Sequence, residues 1–325
     1  MGAYFVRRIL IAIPVMLGIT ILAFLVVNMT PGDPLTARLD PEVLARIAEN
    51  PSLLDERRRQ LGLDQPLPIQ YLRWLAGVLQ GDLGYAISTG RPIAEELGPR
   101  IGPSLLLMLF AAIVAVAFGL PAGILSAVKQ YGKVDYLLSA LTVLLISTPT
   151  FVIGMIGIYV FGVSLKVLPV GELYTIGKED DLLDRFSHFI LPALILGLVN
   201  AALLMRYTRA SMVESLGADY ITTARSKGLP KRVIVVRHGL RNALIPVITV
   251  LAFLMPELIA GAVVTETVFN WPGLGQLSVR AAKAGDPAMM MGVVLVVGLA
   301  VVIASIVADL AYSVADPRIR FDRGR

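Results

Sequence analysis

The sequence contains no cysteine and only two histidines, His188 and His238. A disulfide framework, a thiolate metal centre and a cysteine nucleophile are thereby excluded, and two histidines alone do not build a multi-histidine metal site. Charge is scarce as well. Asp, Glu, Lys and Arg make up 16% of the 325 residues, where a soluble domain carries about 25%. No G-x-x-x-x-G-K-[ST] phosphate cradle occurs anywhere in the chain, so ATP hydrolysis is not expected of it. An intramembrane hydrolase needs a nucleophile and a base buried together. His188 stands at the edge of an apolar run and His238 in a basic loop, which places no such pair.

What the sequence does have is hydrophobicity, at 56% of residues, gathered into long runs. A helix needs roughly 20 residues to cross a hydrocarbon core of ~30 Å. Six runs qualify, at about 9–29, 101–127, 136–165, 188–206, 243–264 and 288–312. The expected fold is an all-α polytopic membrane protein of six transmembrane helices. The first run, Ile9 to Val27, exceeds the roughly 7–15 residues of a signal-peptide core and reads as a first membrane helix. The third is long enough to tilt or to extend past the bilayer, and the fourth is short and opens with His188 and Pro192. No internal repeat is visible.

Loop charge orients the runs. The N-terminus, 128–135, 206–242 and the tail after 312 hold 16 Lys and Arg against 5 acids, whereas 30–100, 166–187 and 265–287 hold 13 against 17. Both termini are therefore expected in the cytoplasm, and the basic balance reflects topology rather than nucleic-acid binding. The expected organisation is an N-terminal membrane helix at 1–29 and an extracytoplasmic subdomain at 30–100. Helices 2–6 follow over 101–312 with a basic loop at 206–242, then a cytoplasmic tail at 313–325. In the outer segment, "YLRWLAGVL" has amphipathic helical spacing, and Tyr71, Trp74 and Asp82 are candidates for packing or for a docking partner.

The basic loop holds the chain's most distinctive stretch, "DYITTARSKGLPKRVIVVRHGLRNALIP", Asp219 to Pro246. A short helix is expected over "DYITTARSKGL", with Tyr220, Thr223, Ala224 and Lys227 at i, i+3, i+4 and i+7 on one face. Gly228 is a natural helix stop, and Pro230 follows just past it. A small helix of this kind beside the headgroups suits the docking of another surface.

This stretch resembles the cytoplasmic "EAA" loop of bacterial ABC-importer permeases, whose pattern is E-A-A-x3-G. Thr222, Thr223, Ala224 and Gly228 occupy the pattern here, and the glutamate and first alanine are absent. The form "DYI-TARSKGL…RHGLRNALIPV" is similar to the dipeptide, oligopeptide and nickel permeases. So are "RRILIAIPVMLGITILAF", "PGDP", "LGLDQPLPIQYLRWLAGVLQGDLGYAISTGRPI", "TETVFNWPGLGQL" and "DPRIR", in order along essentially the whole chain.

The resemblance implies a permease subunit of the plasma membrane that imports di- or oligopeptides, or related solutes such as nickel chelates, by alternating access. It implies a second homologous permease subunit, two ATPase subunits that hold the ATP and Mg, and an extracytoplasmic substrate-binding protein. No cofactor or metal is then bound by this chain. It also makes the loop a coupling helix, with Ala224 and Gly228 docking closely and Asp219, Tyr220, Thr222, Thr223, Arg225 and Lys227 in polar or packing contact. An ATP-independent channel or secondary carrier is the alternative.

Further candidates come from the residues themselves. Glu257 and Asp309 are acids in apolar runs, where carboxylates are costly and often functional. Asn200, Ser147 and Thr148 are the other candidates for a translocation pathway, with "STPTF" reading first as a Pro149 kink. In "TETVFNWPGLGQL", Phe269 and Trp271 suit interfacial anchoring, and with Pro272 and Gly273 they form a candidate outer gate.

Overall fold

The computed structural model describes residues 2–29, 56, 59 and 64–315. Residues 30–63 of the expected segment 30–100, apart from 56 and 59, and the tail from residue 316 lie outside the described residues. The ordered elements are helical: α1 (Gly2–Met29), α2 (Leu67–Leu79), α3 (Ile93–Val128), α4 (Lys133–Ser147), α5 (Thr150–Gly157), α6 (Leu182–Gly217), α7 (Asp219–Ser226), α8 (Lys231–Val233), α9 (Arg241–Val268), α10 (Leu274–Lys283) and α11 (Pro287–Ala315). Two stretches widen into π-helix, Ile158–Ser164 after α5 and Ile234–Leu240 before α9.

Among the described residues, four helical stretches are long and apolar enough to cross a membrane: Arg7–Met29, α3, α6 and Pro287–Val307. A fifth is reached if α4 and the α5 stretch count as one span. The expected fifth run, 243–264, lies on the 28-residue α9.

The third run, expected over 136–165 with a kink at Pro149, is bent there. It breaks at Thr148–Pro149, and the two halves meet at 104°. The cause is local. Proline bars its predecessor from helical torsions, and Thr148 adopts φ −92°, ψ 127°. The Thr148 amide still reaches the Leu144 carbonyl at 3.1 Å, and its hydroxyl reaches the same carbonyl at 2.7 Å. The Leu144 carbonyl at the end of α4 is thus satisfied twice over, and α5 starts afresh from the Pro149 carbonyl.

The chain divides into two compact units. One comprises 1–102 with 277–300, and the other 103–276 with 301–325. In the first, the Thr20 hydroxyl of α1 bonds the Tyr71 hydroxyl of α2 at 2.9 Å, and Phe24 packs edge-on to Tyr71 at 5.6 Å. Tyr71 is therefore a packing residue, with Trp74 stacked beside it. Asp82 accepts the Gly84 amide at 2.8 Å and shapes its own turn. Asp286 caps α11 through the Met289 amide at 3.0 Å, and its other oxygen takes both the amide and the hydroxyl of Ser88.

The second unit is built around α6. The short run expected at 188–206 is the middle of a 36-residue helix that starts on an Asp181 cap and is largely buried. Small residues let α3 approach it closely. A Cβ on Gly197 would sit 2.5 Å from Val114 Cβ, and one on Gly123 would sit 2.5 Å from Thr208 Cβ. Around this seam, Leu107, Ala111, Phe189, Leu196 and Trp271 form a buried cluster.

Candidate functional site

The basic stretch forms α7, as its spacing predicts. Ala218 precedes it in an extended conformation, and Gly228 ends it at φ +71°. The Gly228 amide bonds the Arg225 carbonyl at 2.9 Å, and the Leu229 amide reaches the Ala224 carbonyl at 3.4 Å. These bonds close the helix in a left-handed glycine stop.

The eight expected coupling residues are brought together but do not share one surface. Asp219, Tyr220, Thr222, Thr223, Arg225, Lys227 and Gly228 are exposed. Ala224 is turned inward and packs with Ile221, Ile234 and Leu216. Its expected face with Tyr220, Thr223 and Lys227 is split accordingly: two turns of helix laid on a neighbour bury one stripe, and Ile221 and Ala224 are the small apolar members of that stripe. Ala224 sets how deeply α7 sits on its own chain, while Gly228 points into open space, with no atom within 4 Å of where a Cβ would be.

The seat of α7 is specific. At the end of α6, the Ser215 hydroxyl bonds the Tyr220 hydroxyl at 2.7 Å and donates to the Gly239 carbonyl at 2.9 Å. One buried side chain therefore ties α7 and the following π-helical turns to α6. Gly239 allows this approach, because a Cβ there would meet Leu216 Cδ2 at 2.9 Å. Beside the seat lies a cavity of about 830 Å³ with Leu216, Leu229 and Val235 in its walls and Arg225 and Lys231 at its edge. Among the described residues, none of Arg225, Lys227, Lys231, Arg232, Arg237 and Arg241 makes an ion pair, so the outward face presents uncompensated positive charge.

Of the pathway candidates, Asn200, Ser147 and Thr148 have described side chains. Asn200 is buried, but its amide donates to Leu196 of its own helix at 2.7 Å. Ser147 and Thr148 stand at the α4–α5 break, and no hydrogen bond among the described residues joins them to Asn200. Glu257 and Asp309 lie on α9 and α11, with side chains outside the described residues.

The expectation that Phe269 and Trp271 anchor at a lipid interface is corrected: they are among the most completely buried side chains of the chain. The Trp271 indole donates to the Pro103 carbonyl at 3.2 Å and stacks edge-on to Phe189 at 5.1 Å. Phe269 packs with Leu191 and Ile195, and its carbonyl accepts the Glu172 amide at 2.8 Å. Pro272 and Gly273 make the turn that folds over Glu266. This carboxylate is fully buried, accepting from the Ser104 hydroxyl at 2.5 Å and the Gln276 amide at 3.0 Å. A Cβ on Gly273 would collide with the carboxyl group itself.

Glu266 and Ser104 were not singled out from the sequence, nor were Asp135 and Arg209. The usable signal for Glu266 was a carboxylate beside a P-G-L-G turn. Asp135 and Arg209 are hidden among charges that otherwise only set topology.

This architecture combines apolar spans, a polar helix seated against α6 and the π-helical turn before α9, and a tightly turned loop over a buried acid, and it has relatives along its full length. A putative peptide permease of Brucella suis biovar 1 is 43% identical over 318 residues, covering 98% of each chain. The oligopeptide transport system permease protein AppB of Bacillus subtilis strain 168 is 40% identical over 322 residues, 99% of this chain and all of that one. The glutathione transport system permease protein GsiC of Escherichia coli K12 is 40% identical over 318 residues, 98% and 99% of the two chains. Residues 1–94 match the N-terminal part of the binding-protein-dependent transport system membrane component. Residues 119–321, which include every coupling, pathway and loop candidate, match the binding-protein-dependent transport system inner membrane component. The chain therefore belongs to that family, the membrane-embedded permeases of peptide-type ABC importers.

Proposed function

We propose that this chain is one of two permease subunits of an importer for di- or oligopeptides or related small solutes, driven by separate ATPase subunits that dock on α7. The observation that carries this reading is the exposed outer side of α7, with Arg225 and the following Lys227, Lys231 and Arg232 in no ion pair among the described residues, and its tie to α6 through Ser215 and Tyr220. A seat tied by hydrogen bonds and buried apolar contacts, with an exposed outer face, suits a helix that transmits a push from a partner. The peptide class is supported by the names of the relatives, which include oligopeptide and glutathione permeases.

The mechanism follows as alternating access. A loaded extracytoplasmic binding protein docks on the outer loops. ATP, with Mg held on the ATPase subunits, draws those subunits together, and α7 carries the movement into six membrane helices whose termini both face the cytoplasm. The bundle opens outward, receives the solute and reopens inward after hydrolysis.

Co-purification tests the reading directly. This chain, expressed with the products of its neighbouring genes and captured by a tag, is expected to bring down two ATPase subunits and a second permease. Their hydrolysis should rise when peptide-loaded binding protein is added. A chain that purifies without ATPase partners would overturn the reading and favour an ATP-independent carrier.

A further inference from the structure

Asp135 and Arg209 form the most completely satisfied charge pair among the described residues. Asp135 lies in the first turn of α4 and is 3% exposed. Arg209, on α6, grips it with both forks, Nε to Oδ1 at 2.7 Å and Nη2 to Oδ2 at 2.8 Å. Three more donors converge on the same carboxylate: the Ser126 hydroxyl from the last turn of α3, the Tyr131 amide at 2.9 Å and the Ser139 hydroxyl at 3.4 Å. The Tyr131 bond holds a non-glycine residue at φ 59°, a left-handed conformation that side chains disfavour. One acid thus pins the end of α3, the α3–α4 turn, the start of α4 and the body of α6.

Burying an ion pair is a poor route to stability, because desolvation offsets the attraction. Its distinctive property is direction: a bidentate guanidinium fixes both distance and orientation. Arg209 stands six residues before Ser215 on the same uninterrupted helix, about 9 Å along its axis. Ser215 is the residue that ties α7 to α6. One residue before Arg209, α3 and α6 touch with no slack at Gly123 and Thr208.

We propose that Asp135 and Arg209 are positioning residues for energy coupling: they lock the α3–α4 turn to α6, so that movement of α7 displaces α3, α4 and α6 together. The proposal rests on the importer reading above. It goes beyond it in naming where, away from α7, the yield of transport per ATP is set.

The test uses the whole importer in proteoliposomes, with a defined mixture of short peptides as the probe, comparing substrate moved per ATP hydrolysed. Arg209→Lys keeps the charge and loses the fork. Asp135→Asn, and the double variant Asp135→Asn with Arg209→Gln, remove the charge while leaving polar partners. Assembled variants should keep hydrolysis stimulated by the binding protein but move at least about fivefold less peptide per ATP, the low end of typical coupling energies. A merely structural pair would lower hydrolysis and uptake in proportion. An unchanged ratio in assembled Arg209→Lys complexes overturns the proposal. Failure of all three variants to assemble also overturns it, since the pair would then be a folding element. A wild-type complex without ATP-linked uptake removes the importer reading instead.

Discussion

Gly228 shows how much a single position can decide. Its φ of +71° is cheap only for glycine, and an ordinary side chain there costs about 1–2 kcal/mol. Nothing crowds the position, so the penalty is conformational and not steric. Asn tolerates left-handed torsions and β-branched residues do not. Gly228→Val should therefore fray the end of α7 and depress peptide uptake per ATP well below that of Gly228→Asn, with membrane insertion intact in both. Equal uptake by the two variants would show that the helix stop plays no part in coupling. Gly228 was legible in the sequence because glycine followed by proline punctuates a helix. The inward turn of Ala224 was not legible, since two turns of helix give too few residues to say which stripe meets the neighbour.

At the scale of elements, the long helices were the easiest part to foresee, because unbroken apolar length needs no partner to be recognised. Their junctions were harder. The 104° break at Pro149 was visible only as a kink, since proline dictates that regular helix fails but tertiary packing dictates the angle. The burial of Phe269 and Trp271 was missed for a related reason. Aromatics beside a membrane run fit a lipid interface as well as a protein core, and the Pro103 carbonyl that accepts the indole lies 168 residues away.

The α3–α6 seam gives a prediction of its own. Gly197→Ala places a Cβ against Val114, an overpacking expected to cost about 1–3 kcal/mol. Gly102→Ala, on α3 with nothing within 4 Å, should leave the thermal midpoint of the purified complex nearly unchanged. Equal midpoints for the two variants would contradict the close approach.

At the scale of the whole molecule, the charge asymmetry of the loops makes topology measurable, and the absence of cysteine makes the measurement clean. Lys178, in the exposed turn before α6, and Lys227, at the end of α7, should lie on opposite faces of the membrane. A membrane-impermeant maleimide applied to cells with the outer layers opened should label Lys178→Cys at once and Lys227→Cys only after lysis. The reverse pattern would invert the chain and remove α7 from the side where ATP is found. Membrane character and the location of the basic helix were readable from hydropathy and charge alone. The buried polar nodes at Asp135 and Glu266 were not, because each depends on donors from distant turns that no local pattern brings together.

The π-helical turn at Ile234–Leu240 stands directly between the seat of α7 and the start of α9. A π turn holds more residues per turn than an α turn, so this stretch stores surplus chain. Each residue added to or taken from a helix rotates everything beyond it by about 100°. On the proposed docking of α7 to an ATPase, the segment around it can lengthen or shorten to suit a different partner surface, with the wide turn taking up the difference, while α9 keeps the same face toward α6. Insertions and deletions among related chains should gather at this turn and spare the helices on either side.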